Sequence, residues 1–526
     1  MLLSKHLDLN ALKTPDKEAI VFIEKCAESK IEQRISFTWK ELCDYSNRVS
    51  NMLIKNNIKK GDRIAILIKN TIWWLPFFWG VLKVGAVVVP INHNNSMEEN
   101  IECMEYIDCK GVFISESDAC LDYFNTKQKL DMHCFVVRDS FKNMCEELRR
   151  YPAENIDAPV LLSDEAAIYF SSGTTGRQKA VLLLHRSLIA AAYTELSHHG
   201  QRLDDIFLCV TPLYHTGSIV HWFGSLLTTG TAVFMSPTSP NNILRVIVRE
   251  RISIVWLLVP QIQDLLDSFS QTQSTIHYIS KSSLRLVHSG AQIVPLSLIK
   301  RWNSMFSHII FDSNYGLTEA TGPGCIHLGK TDLNVGVQTG VLIGRADPLW
   351  SVNIVDENDN FVASGTIGEL VLRGPGVMAE YYNDKEATEE IMRNGWLHTG
   401  DLAYIAPDKR IYLVGRKKDV IISGGENIYP VQIEHVIRKS NIVKDVAVVG
   451  LSNQRMGELV VAVVELKKGE KCNKKSIWEV CESLPQYKRP ARIFFGEVKR
   501  NKMGKINKEY MKFWVESHLC KNVGTE

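Results

Sequence analysis

A short stretch rich in glycine and hydroxyl residues, SSGTTGRQKAV from Ser171 to Val181, has the composition of a loop that holds phosphate. Glycines allow a tight turn in which several backbone N–H groups point at one anion. The hydroxyls add donors, and Lys179 adds positive charge. The apolar runs AAIYF and AVLLL on either side predict strand–loop–strand, whereas a Walker loop requires a helix after G-x-x-x-x-G-K-[ST]. For this stretch alone, an ordinary surface loop is the alternative.

A second stretch, NYGLTEATG from Asn314 to Gly322, brings an aromatic ring, a hydroxyl and a carboxylate close together in sequence. Tyr315 could stack on a purine ring. Glu319 could hold magnesium through its carboxylate oxygens, as ATP chemistry usually requires. The alternative is a turn that begins a helix with Thr and Glu.

Two further stretches carry charged residues suited to a nucleotide. GWLHTGDLAYI contains Asp401, a carboxylate that could bind a pair of ribose hydroxyls, and Arg416 follows fifteen residues later (416 − 401 = 15). Near the C-terminus, KRNKMGKINK contains Lys505 directly after a glycine. Each stretch is also compatible with a solvated loop or a charged surface, where lysine is normally found.

The composition of the chain excludes several classes of protein. Hydrophobic residues make up 45% and charged residues 23% of the 526, as in ordinary globular proteins. The net charge of +2 gives no basic field for nucleic acid, so we expect no nucleic-acid partner. Twelve cysteines without a C-x-x-C pair indicate free thiols in a reducing compartment rather than disulfides or a zinc site. We therefore expect a cytoplasmic protein.

One very apolar segment, Asn70 to Asn92, could be either a membrane span or a helix and strand buried in a globular core. A lysine and two prolines interrupt it. It predicts a helix near Trp73–Leu82 and a buried strand over Ala86–Pro90, and we expect no transmembrane segment. A peripheral membrane contact is the lesser alternative. The N-terminus lacks the long apolar core of a signal peptide.

The elements that must position these residues alternate along the chain. Short β-branched runs such as DRIAILI and GAVVVPI alternate with stretches of helical spacing such as WKELCDYSNRVSNMLIKN. This predicts α/β architecture with stacked, largely parallel sheets. After about Ile411, stretches such as VQIEHVIRKS and ELVVAVVEL predict a separate α+β unit of about 110 residues.

Together and in this order, the stretches resemble the motifs of the adenylate-forming superfamily. That superfamily includes acyl-CoA synthetases, aryl-CoA ligases, peptide-synthetase adenylation domains and beetle luciferases. The resemblance extends from ISFTWKEL near the N-terminus to the last lysine motif. It implies a large N-terminal domain over residues 1–416, which holds ATP and the acyl pocket. It also implies a small mobile C-terminal lid over residues 417–526, with its hinge at Lys418.

The resemblance assigns a role to each candidate residue. The catalytic residues would be Lys505, Thr318, Glu319 and His215, and the magnesium ligand would be Glu319. ATP or AMP would be bound by Ser171, Ser172, Gly173, Thr174, Thr175, Gly176, Lys179, Gly290, Ala291, Asn314, Tyr315, Gly316, Thr318, Asp401, Arg416 and Lys505. CoA would contact Gly424, Gly425, Lys488 and Arg489, and the acyl pocket would include His215, His221 and Trp222. An exposed basic turn for the Lys-Arg pair and core packing for Trp222 are the alternatives.

The implied activity is an AMP-forming acyl-CoA ligase with ATP and CoA as co-substrates and Mg²⁺ as cofactor. A carboxylic acid would attack ATP to give an acyl-adenylate and pyrophosphate, and the CoA thiol would then displace AMP after the lid rotates. The apolar stretches YHTGSIVHWFGSLL and IVWLLVPQI favour an apolar fatty or aryl acid. The alternatives are a ligase that loads a carrier protein and a nucleotide-binding homologue without turnover.

The chain departs from the family's motifs at three points. Gln178 and Ala180 flank the loop lysine where the family usually has proline and glycine. Val498-Lys499 stands in place of Leu-Pro before the last lysine, and Gln292 replaces a frequent proline after Gly-Ala. None of these positions carries a group expected to touch a reacting atom.

Overall fold

Helices and strands alternate along most of the chain. The structure, a computed structural model, describes residues 1–25, 32–118, 121, 132–171, 178–236, 239–269, 279–280, 282–329, 340–470, 474–500 and 505–522. Its α-helices are α1 (Leu3–Lys13), α2 (Trp39–Lys55), α3 (Trp74–Val84), α4 (Met97–Tyr106), α5 (Phe141–Leu148), α6 (His185–His199), α7 (Thr216–Thr228), α8 (Pro240–Arg249), α9 (Val259–Phe269), α10 (Leu296–Met305), α11 (Lys385–Ile391), α12 (Pro430–Ile437), α13 (Lys474–Val480) and α14 (Lys508–Asn522). Short 3₁₀ helices cover Thr318–Ala320, Lys417–Asp419, Cys481–Ser483 and Gln486–Lys488.

The strands form three sheets. They are β1 (Glu18–Lys25), β2 (Glu32–Thr38), β3 (Arg63–Leu67), β4 (Val87–Pro90), β5 (Cys109–Ser115), β6 (His133–Val137), β7 (Glu165–Ser171), β8 (Lys179–Leu184), β9 (Ile206–Cys209), β10 (Thr231–Met235), β11 (Ile254–Trp256), β12 (Leu286–Ser289), β13 (Ile310–Leu317), β14 (Gly322–Leu328), β15 (Val341–Ala346), β16 (Ser351–Val355), β17 (Gly368–Arg373), β18 (Glu380–Tyr381), β19 (Met392–Arg393), β20 (Trp396–Ile405), β21 (Ile411–Arg416), β22 (Ile421–Ser423), β23 (Glu426–Ile428), β24 (Val443–Asn453), β25 (Gly457–Leu466) and β26 (Arg492–Phe495).

The two larger sheets each combine a parallel part with antiparallel strands: the first is antiparallel at both edges, and the second only at the β18-β8 edge. One runs β16-β17-β20-β21-β15-β14-β13-β12-β11-β9-β10-β1-β2, with β19 paired to β20. Its parallel part extends from β13 to β1. The other runs β18-β8-β7-β4-β3-β5-β6 and is parallel from β7 to β6. The third sheet, β23-β22-β25-β24 with β26 beside β25, belongs to the C-terminal part of the chain. The predicted α/β fold with a small C-terminal domain is confirmed.

The apolar segment that suggested a membrane span folds as a buried helix and strand. Every residue of α3 is buried, and Trp79 of α3 lies 5.4 Å from Trp222 between ring centroids. The buried Lys83 donates to Asn47 Oδ1 at 2.6 Å and pairs with Asp8, which satisfies its ammonium. In the described part of the chain, no helix combines the length and the apolarity needed to cross a membrane.

Local sequence explains where helix α2 begins. In ISFTWKEL, Thr38 and Glu41 form a capping box, because the Thr38 hydroxyl accepts the Glu41 N–H and the Glu41 carboxylate accepts the Thr38 N–H. The two strands predicted on either side of the candidate phosphate loop are also present. Its strands are β7 and β8, and α6 follows β8 directly.

Candidate active site

Several predicted site residues follow the carboxyl ends of neighbouring parallel strands. Gly290 and Ala291 follow β12, Asn314 and Tyr315 lie near the end of β13, and His215 comes after β9. Open parallel sheets usually bind ligands at this edge. A Cβ on Gly290 would lie 2.7 Å from Asn314 Oδ1 and 3.3 Å from the Asn314 backbone oxygen, so a larger residue there would displace the Asn314 side chain. The alanine that follows has φ +64°.

Tyr315, Asp401 and Arg416 form one connected group. Asp401 and Arg416 are direct cross-strand partners on β20 and β21, and Arg416 Nε lies 2.7 Å from Asp401 Oδ1. The Tyr315 hydroxyl donates to the other oxygen of the same carboxylate. Burial raises the pKa of Asp401 against the opposing effect of Arg416, and Asp401 raises the pKa of Arg416. A buried carboxylate that already accepts a hydroxyl is chemically suited to ribose hydroxyls.

Lys505 comes from the C-terminal domain and lies within electrostatic reach of this group. Part of the residue is exposed, but desolvation of its ammonium, with repulsion from Arg416, lowers its pKa. Asp401 and Glu319 oppose that shift. Burial, Lys505 and a neighbouring histidine lower the pKa of His215 to about 4. The structure therefore brings the predicted lid lysine to the predicted ATP and acyl residues.

The two ends of the predicted phosphate loop face the predicted magnesium ligand. Ser171 and Lys179 are cross-strand partners at the ends of β7 and β8. Ser171 Oγ donates to Glu319 Oε1 at 3.3 Å, and the Tyr381 hydroxyl donates to the same oxygen at 2.8 Å. Lys179 Nζ lies 4.6 Å from the centre of the Tyr381 ring. A carboxylate oriented by two hydroxyls is a suitable hard ligand for Mg²⁺.

The interior of the phosphate loop is not described. Residues 172–177, which include the predicted Ser172, Gly173, Thr174, Thr175 and Gly176, lie outside the described residues, as does the side chain of His221. Of the other loop-side candidates, Gly316 pairs with Pro323 next to a register shift in β13, and Thr318 begins the 3₁₀ helix that carries Glu319.

Tyr381 is a candidate site residue that sequence reasoning missed. It reaches the site because β18 pairs with β8, which aligns it with Val181. The residue spacing in MAEYYND does not predict that β18 pairs with β8. The signal was a tyrosine after a short apolar run, which is common and uninformative by itself.

The two stretches predicted to line the acyl pocket meet in space. A Cβ on Gly217 would lie 3.9 Å from the Trp256 ring, and the Tyr214 and His215 rings are 4.3 Å apart between centroids. Trp222 is fully buried among aromatic side chains of the large core, including Phe223. Core packing accounts for this tryptophan, and its contact with an acyl group stays a prediction.

Two polar residues beside the acyl pocket were also missed. His93 makes an edge contact with Tyr214 at 5.3 Å between centroids, and Asn94 Nδ2 donates to the Tyr214 hydroxyl at 3.2 Å. Both follow β4, a buried parallel strand. The rule that ligands bind at the carboxyl ends of parallel strands could have found them.

The predicted CoA residues have local structural explanations. Gly424 and Gly425, with φ of +60° and +84°, form the tight connection between β22 and β23. Lys488 Nζ donates to a glutamine oxygen at 2.9 Å, and Arg489 donates to two backbone carbonyls at 2.9 and 2.7 Å. CoA binding by these residues stays a prediction. The predicted hinge, Lys418, is exposed in the short segment between β21 and β22.

Comparisons with known proteins identify the family. The family model described as "AMP-binding enzyme" matches residues 7–382, and "AMP-binding enzyme C-terminal domain" matches residues 432–505. An indoleacetate–CoA ligase of Aromatoleum aromaticum is 29% identical, over 97% of this chain and 97% of its own. A long-chain-fatty-acid–CoA ligase, FadD13 of Mycobacterium tuberculosis, is 30% identical, over 91% of this chain and 93% of its own.

The fold is shared over the whole chain as well. The crystal structure of ATP-bound MatB from Rhodopseudomonas palustris superposes with a TM-score of 0.85 at 25% identity, over 98% of this chain and 99% of that one. Relatives named as CoA ligases support the predicted enzyme class, an AMP-forming acyl-CoA synthetase. The chain therefore belongs to the AMP-binding enzyme family of the adenylate-forming superfamily.

Proposed function

We propose that this protein activates an apolar fatty or aryl carboxylic acid as its acyl-adenylate and transfers the acyl group to CoA. The observation that carries the proposal is the convergence of Lys505 on Asp401, Arg416 and Glu319. These residues come from separate elements in the second half of the chain, with Lys505 in the C-terminal domain. They would supply a ribose acceptor, a magnesium ligand and a cation to one nucleotide.

In the first half-reaction, a carboxylate oxygen of the acid attacks the α-phosphorus of ATP and pyrophosphate leaves. Negative charge builds on the phosphate oxygens in the transition state. Lys505 and Thr318 would stabilise that charge, because fixed positive or donor groups in a closed site contribute most there. Lys505 would also reduce the repulsion between the carboxylate and the phosphate.

The nucleotide would be held by groups on both sides of the β13 strand end. Tyr315 would contact adenine, and Asp401 would accept the ribose hydroxyls in place of its present contact with the Tyr315 hydroxyl. Glu319 would hold Mg²⁺, which neutralises phosphate charge when bound. Ser171 and Tyr381 would keep the Glu319 carboxylate oriented.

In the second half-reaction, the CoA thiolate attacks the acyl carbon and AMP leaves. This step requires the C-terminal domain to turn about Lys418, which removes Lys505 from the site. His215, whose pKa burial lowers to about 4, is neutral at pH 7 and would act as a ring beside the acyl group rather than as a cation.

The acid is proposed from the apolar surroundings of His215. Tyr214 and Trp256 present rings near this position, with the polar Asn94 on the Tyr214 hydroxyl. An apolar tail fits such a wall better than a charged one. The relatives named for indoleacetate and long-chain fatty acids support both an aryl and an aliphatic class.

A panel of carboxylic acids tests the proposal. The purified protein is incubated with ATP, Mg²⁺ and each acid, with and without CoA, and pyrophosphate, AMP and thioester are measured. We expect acid-dependent pyrophosphate release and CoA-dependent thioester formation with at least one apolar acid. Pyrophosphate release with no thioester would favour a carrier-protein acceptor, and no release with any acid would favour a nucleotide-binding homologue without turnover.

A further inference from the structure

A cluster of buried polar residues lies behind the adenosine-binding strands and has no part in the proposed reaction. Glu195 and His199 are four residues apart on α6, so they share one face of that helix. His288 lies on β12, two residues before Gly290. The side chains of all three are completely buried, with 0% exposure.

The three side chains present a set of atoms that matches a zinc ligand set. A carboxylate oxygen of Glu195 and one ring nitrogen each of His199 and His288 all lie within 4.8 Å of one another. His199 Nδ1 and Glu195 Oε2 are 3.4 Å apart. Zinc bonds of about 2.0–2.1 Å in a tetrahedron separate two ligand atoms by about 3.4 Å. Small rotamer changes would therefore bring all three ligand atoms onto one ion.

The surrounding contacts are those that orient metal ligands. His288 Nδ1 contacts Asp312, whose second oxygen lies 3.1 Å from His327 Nε2. Asn314 Nδ2 donates to Glu195 Oε1 at 3.2 Å. Histidine ligands commonly donate their other ring N–H to a carboxylate, which fixes the tautomer and aims the remaining nitrogen at the metal.

Charge also favours a cation in this cluster. Glu195 and Asp312 are carboxylates with almost no exposed surface. Histidine rings and an amide are among the groups that contact these two carboxylates. Buried carboxylates are stable when they are paired with positive charge or coordinate a metal. A divalent cation would supply that charge without requiring both rings to be protonated.

We propose that Glu195, His199 and His288 bind one divalent transition-metal ion, with zinc as the favoured ion, in a buried site behind the nucleotide pocket. The remaining coordination position would take a water molecule. The ion would tie α6 to β12 and β13. Through Asn314, which contacts Glu195, it would stiffen the wall on which adenine is proposed to bind. The site is separate from the magnesium position at Glu319.

Metal content of the full chain tests this proposal directly. The protein is purified without a histidine tag, stripped with a chelator, incubated with Zn²⁺ alone, dialysed and analysed by mass spectrometry for zinc. We expect close to one zinc per chain and a higher melting temperature than for the stripped protein. His199→Ala and His288→Ala should each lose the ion. His185→Gln, which changes a buried histidine at the start of the same helix, should keep it.

Two further measurements keep the test independent of misfolding. Asp312→Asn leaves the three ligands in place and should weaken zinc affinity about 10–100-fold, as loss of an outer carboxylate partner typically does. Co²⁺ added to the stripped parent protein should give the visible absorption of a tetrahedral site, and Zn²⁺ should abolish it. Two results would overturn the proposal in favour of a proton-sharing network. One is a zinc content near zero in the parent protein. The other is an equal zinc content in the parent and in a folded His199→Ala/His288→Ala double variant.

Discussion

Lys505→Ala is the change that most directly tests the arrangement of the two domains. Asp401 and Glu319 act electrostatically on the Lys505 ammonium, and desolvation with repulsion from Arg416 lowers its pKa. We expect the fold of the C-terminal domain to stay intact without the ammonium, because Lys505 lies before α14 rather than in the core.

The expected magnitude follows from Coulomb's law and the local charges. Two unit charges about 4 Å apart interact by about 4 kcal/mol at an effective dielectric constant of about 20. Arg416 stays near the site in the variant and supplies part of the lost field. We therefore expect adenylation to fall by about 10²–10³-fold, the usual cost of removing one preorganised charge or donor.

The assay separates the two half-reactions. Acyl-adenylate formation is measured as pyrophosphate release from acid and ATP, and thioester formation is measured from synthetic acyl-adenylate and CoA. Lys505→Ala should lose the first activity and keep the second near the parent rate. Lys505→Arg, which retains the charge, should recover part of the first activity. In the parent protein, the pKa of Lys505 lies below the ordinary lysine value of 10.5, so its ammonium loses its proton at a lower pH. Adenylation should therefore decline as the pH rises through that lowered pKa.

A matched control is available in the same segment. Lys499 forms an exposed ion pair with Glu497 at 2.6 Å, and such surface pairs contribute about 0–1 kcal/mol. Lys499→Ala should therefore leave both half-reactions unchanged. If Lys505→Ala lowered both half-reactions equally, or neither of them, the role given to Lys505 in adenylation would be refuted.

Four other outcomes are expected. Glu319→Gln should lower the rate of adenylation on the order of 10²-fold, with partial recovery at high Mg²⁺ concentration. If the variant depended on Mg²⁺ concentration as the parent does, Glu319 would not be a magnesium ligand. Tyr381→Phe removes a hydrogen bond to the Glu319 carboxylate and should lower the kcat for pyrophosphate release about tenfold. A kcat equal to that of the parent would contradict the positioning role of Tyr381. Lys418→Pro should keep adenylation and lose thioester formation, because proline fixes φ at the proposed hinge; equal activities would exclude that hinge. Burial lowers the pKa of His185 from 6.5 to about 4, so the unfolded chain binds a proton at a higher pH than the folded chain does. The free energy of unfolding should therefore fall as the pH drops from about 6.5 to about 4. Urea unfolding of His185→Gln should show a smaller fall over the same range.

The sequence predicted those parts of the site that depend on local pattern or on the family's motifs. The strands on both sides of the phosphate loop followed from apolar runs that flank a Gly/Thr stretch. The resemblance assigned both Asp401 and Arg416 to the ribose, but their cross-strand pairing was not predicted, since a separation of fifteen residues does not by itself specify a hairpin register. Local chemistry therefore predicted the strands beside the loop, and motif order supplied the candidate nucleotide residues, whose binding stays a prediction.

The residues that sequence reasoning missed depend on contacts between distant strands. Tyr381 reaches Glu319 only because β18 pairs with β8. His288 and Glu195 meet only because α6 packs beside the end of β12. No periodicity within either segment encodes such a meeting, since it is fixed by sheet order and by the packing of large cores.

Two of the departures from the family's motifs, Gln292 and Val498, have physical explanations in the fold. Gln292, which stands where the family often has proline, accepts a hydrogen bond at 3.2 Å from Arg500 of the C-terminal domain. Val498, which replaces the usual leucine, is buried in the core beneath α14. A proline at position 292 could not make the first contact because it has no side-chain acceptor. In the proposed mechanism, this bond between the two domains would stabilise the adenylating arrangement by about 1 kcal/mol. The rotation proposed to precede thioester formation would then have to break it.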